Sequence, residues 1–271
     1  MMTKRDRKAT AGLWRTAALG LVLALALGGC ANSRMTTGSV DRSPGKAVSE
    51  MSAVELSRAA DQLGKSYART PTDKAIGLRY AEVLQMGGRT DQSLAVMRKL
   101  AIEHPADRQV LAAYGKALAA AGQLEPALDA VRRAQTPEYP DWKLVSAEAA
   151  ILDQLGKSGD ARALYRRALD MKPNEPSILS NLGMSYVLEG DLRSAETYMR
   201  SAASLPGADS RVRQNLALVV GLQGRFEEAE KLARQELSPE QAEANVAYLR
   251  SMLAQQNAWN DLKRDESKDT N

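Results

Sequence analysis

The sequence predicts an all-α fold built as a tandem array of helix pairs, and three observations carry that prediction. Ala, Leu, Arg, Glu, Gln and Met dominate the composition, and these are good helix formers. Val, Ile and Thr form no alternating runs of the kind that marks a half-buried strand. Most tellingly, Gly88, Gly122, Gly156, Gly190 and Gly224 are each 34 residues apart, a period that belongs to a stacked helical repeat.

The chain of 271 residues opens with a cationic stretch, Lys4, Arg5, Arg7, Lys8 and Arg15 against Asp6 alone. This stretch accounts for the whole formal charge of +4. The rest of the chain is neutral, which removes the net-charge argument for a nucleic-acid or anionic-surface partner. Ala17 to Leu27 is apolar and too short for a spanning helix of about 20 residues, but it suits the core of a secretory signal. It ends in Leu27-Gly28-Gly29-Cys30. That ending resembles the bacterial lipobox, with Gly28 where Ala or Ser is usual. The resemblance implies cleavage after residue 29, acylation of Cys30, and outer-membrane sorting because Ala31 rather than Asp follows. Cys30 is the only cysteine, so no internal disulfide can form. Residues 30–49 are small, polar and Gly/Pro-bearing and read as a flexible tether. A random coil of that length reaches roughly 25 Å.

The repeats run from about residue 74 to 240. Five residues after each glycine stands Ser93, Ala127, Ala161, Ala195 or Ala229. Seven before each stands Ala81, Gly115, Ala149, Gly183 or Ala217. Glycine ends the first helix of a pair, where a left-handed conformation is cheap only without a Cβ. The small residues let two helices approach where they cross. The large residue ahead of the second set, Tyr80, Tyr114, Glu148, Leu182 or Leu216, fills space between repeats. Residues 156–173 (GKSGDARALYRRALDMKP) form the fullest copy. Ala161, Tyr165 and Ala168 share one helical face there, and Pro173 stops the helix.

This pattern resembles the tetratricopeptide repeat family. The resemblance implies a solenoid of about five helix-turn-helix repeats with extra flanking helices, wound as a right-handed superhelix over residues 50–262. Residues 50–69 align with a second helix and put Ala59 at its small position. Residues 240–262 align with a first helix, and the charged end, 263–271, reads as disordered.

Two places depart from the pattern. Residues 135–142 (QTPEYPDW) either bend the stack or form an ordinary junction with Tyr139 and Trp142 packed on it. Glu148, among Tyr and Leu equivalents, is either partly exposed or paired with an Arg of an adjacent helix.

Catalytic sets are missing from the sequence. His104 is the only histidine, so a His/Cys metal site has no ligand set. The expectation is a non-enzyme with no cofactor and no metal. In the tetratricopeptide family the first helices line a groove, and carrying those positions over gives Lys143 and Ser146, then Ser180, Asn181 and Met184, then Arg211, Gln214, Asn215 and Leu218. Asn181 and Asn215 stand where the family often bonds a peptide backbone, since an amide both donates and accepts. They read equally as surface amides without a ligand, and Met184 and Leu218 as apolar floor or as packing. Arg211 alone does not complete a carboxylate clamp, because Ser146 and Ala150 occupy the places of its partners.

Leader, tether and repeats together resemble the TadD-type lipoproteins of the tight-adherence (Flp) pilus. That implies an outer-membrane lipoprotein scaffold that binds the secretin or other pilus components and assists their localisation or assembly. The alternative is a general envelope adaptor for peptidoglycan enzymes or outer-membrane protein biogenesis. A third reading, a cell-wall enzyme, lacks a catalytic set. The expected partners are other proteins, and the membrane through the lipid anchor; the oligomeric state is left open.

Overall fold

A computed structural model describes residues 47–138 and 140–268, and helices supply its regular structure. The leader, Cys30 and Tyr139 lie outside the described residues. The chain divides into two compact units, one ending at Met171 and the other beginning at Lys172.

The first unit starts with a 3-10 turn, Val48–Glu50, followed by α1 (Ala53–Arg69). Three helix pairs come next: α2 (Lys74–Met86) with α3 (Thr90–Glu103), α4 (Arg108–Ala120) with α5 (Leu124–Ala134), and α6 (Trp142–Gln154) with α7 (Ser158–Met171). The second unit holds α8 (Pro176–Glu189) with α9 (Leu192–Ser204), α10 (Ser210–Leu222) with α11 (Phe226–Ala233), and the long α12 (Pro239–Lys268). Within each unit a first helix packs on its own second helix and on the second helix of the pair before it.

Every pair stops its first helix in the same way. The five glycines of the 34-residue period all take positive φ, between 73° and 87°. Beyond them the N–H of Arg89, Gln123, Lys157, Asp191 and Arg225 donates back to the carbonyl of Leu84, Leu118, Leu152, Tyr186 and Val220. This six-residue closure satisfies carbonyls that a helix end otherwise leaves open.

The starts of the first helices are equally regular, and the sequence reading missed them. Asp73, Asp107, Asp141, Glu175 and Asp209, again 34 residues apart, each place a carboxylate oxygen on a backbone N–H of the first turn. Such a cap is worth about 1 kcal/mol, and its negative charge also suits the helix dipole. The signal was in the sequence as an acidic residue one place before each first helix.

The small positions are where the helices cross. Ser93, Ala127, Ala161, Ala195 and Ala229 are all buried, and Ser93 Oγ donates to the Ala81 carbonyl at 2.8 Å. A Cβ on Gly115 would stand 2.6 Å from Val131 Cγ2, and one on Gly183 would stand 2.8 Å from Met199 Cγ. Leu84, Leu100, Val110, Leu118 and Val131 fill the first unit, and Ile178, Leu182, Met199, Val219 and Val220 the second.

Three expectations need correction at the ends. Val48 is buried, so folded chain begins within the last residues given to the tether. In α1 the fully buried small residue is Ala60, while Ala59 is half-buried, because α1 packs only on the pair that follows it. At the other end α12 continues through 263–268, which had been read as disordered. In the sequence Lys263 and Glu266, and Asp265 and Lys268, set opposite charges three residues apart, a spacing that favours helix. Residues 269–271 lie outside the described residues.

On either side of the connection after α5, α5 and α6 pack together within one unit, and half-buried Trp142 opens α6. No helix among the described residues is long and apolar enough to cross a membrane.

Candidate functional site

The candidate site lies on the first helices. In the second unit these are α8 and α10, brought side by side by the repeat. Their contact is polar at one point. Asn215 Nδ2 donates to Ser180 Oγ at 3.1 Å, and the two residues are 7% and 3% exposed. The pair is 35 residues apart, one more than the period, so it joins adjacent register positions on successive first helices. A buried amide needs a partner, and Ser180 supplies one that an apolar residue could not. Asn215 therefore joins two helices through its side chain, whichever ligand the face takes. Met184 is also buried and packs rather than presenting a floor.

Asn181, Gln214, Arg211 and Leu218 remain half-exposed on the same two helices. Gln214 Nε2 donates to Ser210 Oγ at 2.9 Å, one turn back. Arg211 Nη2 donates to the Asp209 carboxylate at 2.5 Å, so its charge is held at the helix cap. Asp209 thus serves the Val212 N–H at 3.0 Å and Arg211 together. Arg213, next but one, donates to Glu236 and to the Ala208 carbonyl and ties α10 to the end of the second helix of its pair. The Arg213 hydrogen bond holds the Glu236 carboxyl below the ordinary glutamate range.

In the first unit the two carried-over residues lie on α6. Ser146 is 3% exposed and belongs to the packing. Lys143 is half-buried, with its Nζ 5.5 Å from the Trp142 ring centroid. Between them and the C-terminal half of α6 stands Glu148, and here the structure chooses between the two sequence readings. Arg132 Nε and Gln135 Nε2, from α5 and the residue after it, each donate to Glu148 at 2.7 Å. The carboxylate is nearly buried and takes one donor on each oxygen, where the other repeats hold a half-buried Tyr or a buried Leu.

Hydrogen-bonded acids recur elsewhere between pairs. Lys74 Nζ donates to Asp107 Oδ2 at 2.9 Å, which holds the Asp107 carboxyl below its usual range. The most heavily bonded acid is Glu196 on α9, which accepts from Arg200 Nε at 2.7 Å, Gln223 Nε2 at 2.8 Å and Arg225 Nη2. The Arg225 hydrogen bond contributes most to holding Glu196 at about 2, well below its ordinary 4.5 and against the opposing effect of burial. Glu228 closes the cluster by accepting from Arg200 and Arg225.

This arrangement has the chemistry of a recognition face. Its half-exposed amides can donate and accept hydrogen bonds, and its one held guanidinium can donate them. Among the described residues no group of three His, Cys, Asp or Glu is placed to hold a metal ion. His104 stands at the end of α3 with Nε2 3.2 Å from the Thr72 carbonyl, a link between turns.

Comparison with known proteins agrees with the geometry. The tetratricopeptide repeat family model matches residues 79–141 and 146–210. Among solved structures, the chain is similar to a tetratricopeptide repeat protein from Parabacteroides merdae, with a TM-score of 0.64 and 14% identity over 72% of this chain and 78% of that one. It is also similar to TTC0263, a repeat protein of Thermus thermophilus, at TM-score 0.57 and 22% identity over 64% of this chain and 96% of that one. A third is PilW, described as a widely conserved type IV pilus biogenesis factor, at TM-score 0.55 and 19% identity over 74% and 91%. No curated protein matches the sequence. At these identities the likeness is one of fold.

Proposed function

We propose that this helix-pair array, whose residues 79–141 and 146–210 match the tetratricopeptide repeat model, is an outer-membrane lipoprotein scaffold whose first-helix face binds proteins during assembly of a Flp/Tad-type pilus secretion apparatus. The observation that carries this reading is the order of parts: a lipobox-like LGGC, a short polar tether and then repeats that offer binding groups without catalytic ones. The likeness in fold to PilW gives the pilus direction its support.

In this mechanism Cys30 fixes the location and residues 31–46 give reach. Asn181, Gln214 and Leu218 supply the accessible contacts for a segment of partner, a secretin or another pilus component. Confining both molecules to one surface raises their effective concentration, so a modest groove affinity suffices. A scaffold of this kind helps its partner localise or assemble without altering it covalently.

The test is replacement of Cys30 with Ser in the source cells. The variant is expected in the soluble periplasmic fraction, with pilus output lowered and the secretin lost from co-purified material. Unchanged membrane fractionation would sink the anchor. Normal co-purification of peptidoglycan enzymes with no secretin would replace the pilus role by a general adaptor role.

A further inference from the structure

Each second helix of the pairs buries a small residue and, one turn on, a second residue against its own first helix. Gly115 faces Ala127 and Val131 in this way, and Gly183 faces Ala195 and Met199. The same two positions hold Ser93 and Met97, Ala161 and Tyr165, and Ala229 and Ala233, all of them buried. On α1 the period puts Ala59 and Leu63 there, and both are only half-buried. The reason is local: α1 packs on α2, and among the described residues no first helix stands before it.

The long α12 shows the reverse. It packs as a first helix does, with Ala242, Val246 and Leu249 buried toward the pair before it. It then runs on through Ala258, where the period would set the next stopping glycine, so no second helix folds back on it among the described residues. Ser251 is therefore exposed at the position where Ala81, Gly115, Ala149, Gly183 and Ala217 are buried. Ala247 and Ala254, one turn to either side, are exposed too, and Arg250 is the one charged residue between Ala244 and Asn260. Terminal units of an array need a polar outer face, whereas this one is small and uncharged. Of the large apolar side chains left exposed, Val54, Ile102 and Tyr248, one stands on each of these end helices: Val54 on α1 at 60% and Tyr248 on α12 at 57%.

We propose that α12 of one copy pairs with α1 of a second copy, completing a helix pair across the junction and joining copies head to tail. The occupant follows from register: one helix is a first without its second, the other a second without its first. Laid antiparallel, as Gly77 against Leu100 and Ala81 against Ser93 lie in this chain, Ser251 falls on Ala59 and Leu63, and Ala247 on Ser66. Exposed Lys65 and Arg69 at the end of α1 then stand toward exposed Glu240 and Glu243 at the start of α12. Residues 31–46 are a poor substitute for α12, since they are polar, hold Pro44 and Gly45 and have no apolar period. The contact is heterologous, so each joined pair keeps an open α1 and an open α12, and copies add on until a ring closes. The first-helix face is extended by this joining and stays available to protein.

The test uses residues 31–271, which retain every described residue and lack the single cysteine. Sedimentation of this parent should give a mass above one copy that rises with concentration. Ser251→Arg, at a position exposed in the free chain, should keep the helix content in circular dichroism. It should lower association on the order of a hundredfold by overfilling the crossing. Ala59→Cys and Ser251→Cys are then made in separate chains, small side chains replacing small ones. Under mild oxidation the mixture should form a disulfide between the two variants well before either links to its own kind, because the crossing is close enough for one. A parent that stays monomeric, or a Ser251→Arg chain that assembles like the parent, overturns the proposal. Assembly that halts at two copies, with each cysteine variant linking to itself, overturns it too and assigns the open faces to a symmetric dimer. The anchor and pilus readings stand or fall separately, on fractionation and co-purification of Cys30→Ser.

Discussion

Replacing Glu196 with Gln removes the charge at the centre of the α9–α11 cluster while keeping the side chain's size. Its carboxylate accepts from three donors and is 16% exposed. Each pH unit by which folding lowers a carboxyl's proton affinity is worth about 1.4 kcal/mol, so the pull from 4.5 to about 2 caps the contribution at about 3 kcal/mol. Arg200 and Arg225 are 45% and 39% exposed, so water screens part of this. The expected loss at neutral pH is about 2 kcal/mol. The acid is stronger in the folded state, so its stabilisation is fully present above about pH 4.5 and fades as the pH falls toward about 2. Urea unfolding followed by circular dichroism at pH 7 and pH 3 measures both effects. The gap between parent and variant should be largest at pH 7 and about two-fifths as large at pH 3. A gap that is equal at the two pH values, or absent at pH 7, would refute the reasoning.

Three further outcomes can be checked by the same unfolding measurement. Gly115→Ala forces a Cβ into Val131 and the Ala127 carbonyl and should cost about 1–3 kcal/mol, whereas Gly88→Ala meets open space and should cost about 1 kcal/mol for its φ of 73°. Arg132→Ala leaves nearly buried Glu148 with Gln135 as its remaining donor from this group and should cost about 1–3 kcal/mol. Asn215→Ala strands Ser180 Oγ and should cost about 1 kcal/mol, while Asn181→Ala should stay within about 0.5 kcal/mol of the parent. If Asn181 contacts partner, its variant weakens capture of that partner in a pull-down with stability unchanged.

Much of the fold was legible because a repeat states its geometry five times over. One glycine is weak evidence for a helix stop, but five at a fixed interval require a backbone reason, and positive φ supplies it. The same logic would have found the caps. Asp73, Asp107, Asp141, Glu175 and Asp209 passed unnoticed because acids are common and Glu175 breaks the identity of the series. The first helices themselves were legible too, but not which of their side chains a neighbouring helix covers. Asn215 and Met184 were placed on the right helices, yet whether a side chain is buried depends on the neighbouring helix, which periodicity does not describe. Glu148 could be narrowed to two states from its odd chemistry, and only the reach of Arg132 and Gln135 decided between them. The end of α12 was misread because charge and polarity describe a solvated helix as well as a disordered tail.

The recurring closure at Gly88, Gly122, Gly156, Gly190 and Gly224, with the acid that opens the first helix of each pair, makes each period self-contained at both ends. Excising residues 108–141 would bring Asp107 directly before Trp142, so the cap that opened α4 would open α6. The shortened chain keeps a start, a stop and a crossing position for every remaining pair. Length is therefore a free variable for this sequence: whole periods can be lost or duplicated without inventing a new junction, and the span of the recognition face can change in steps of one helix pair.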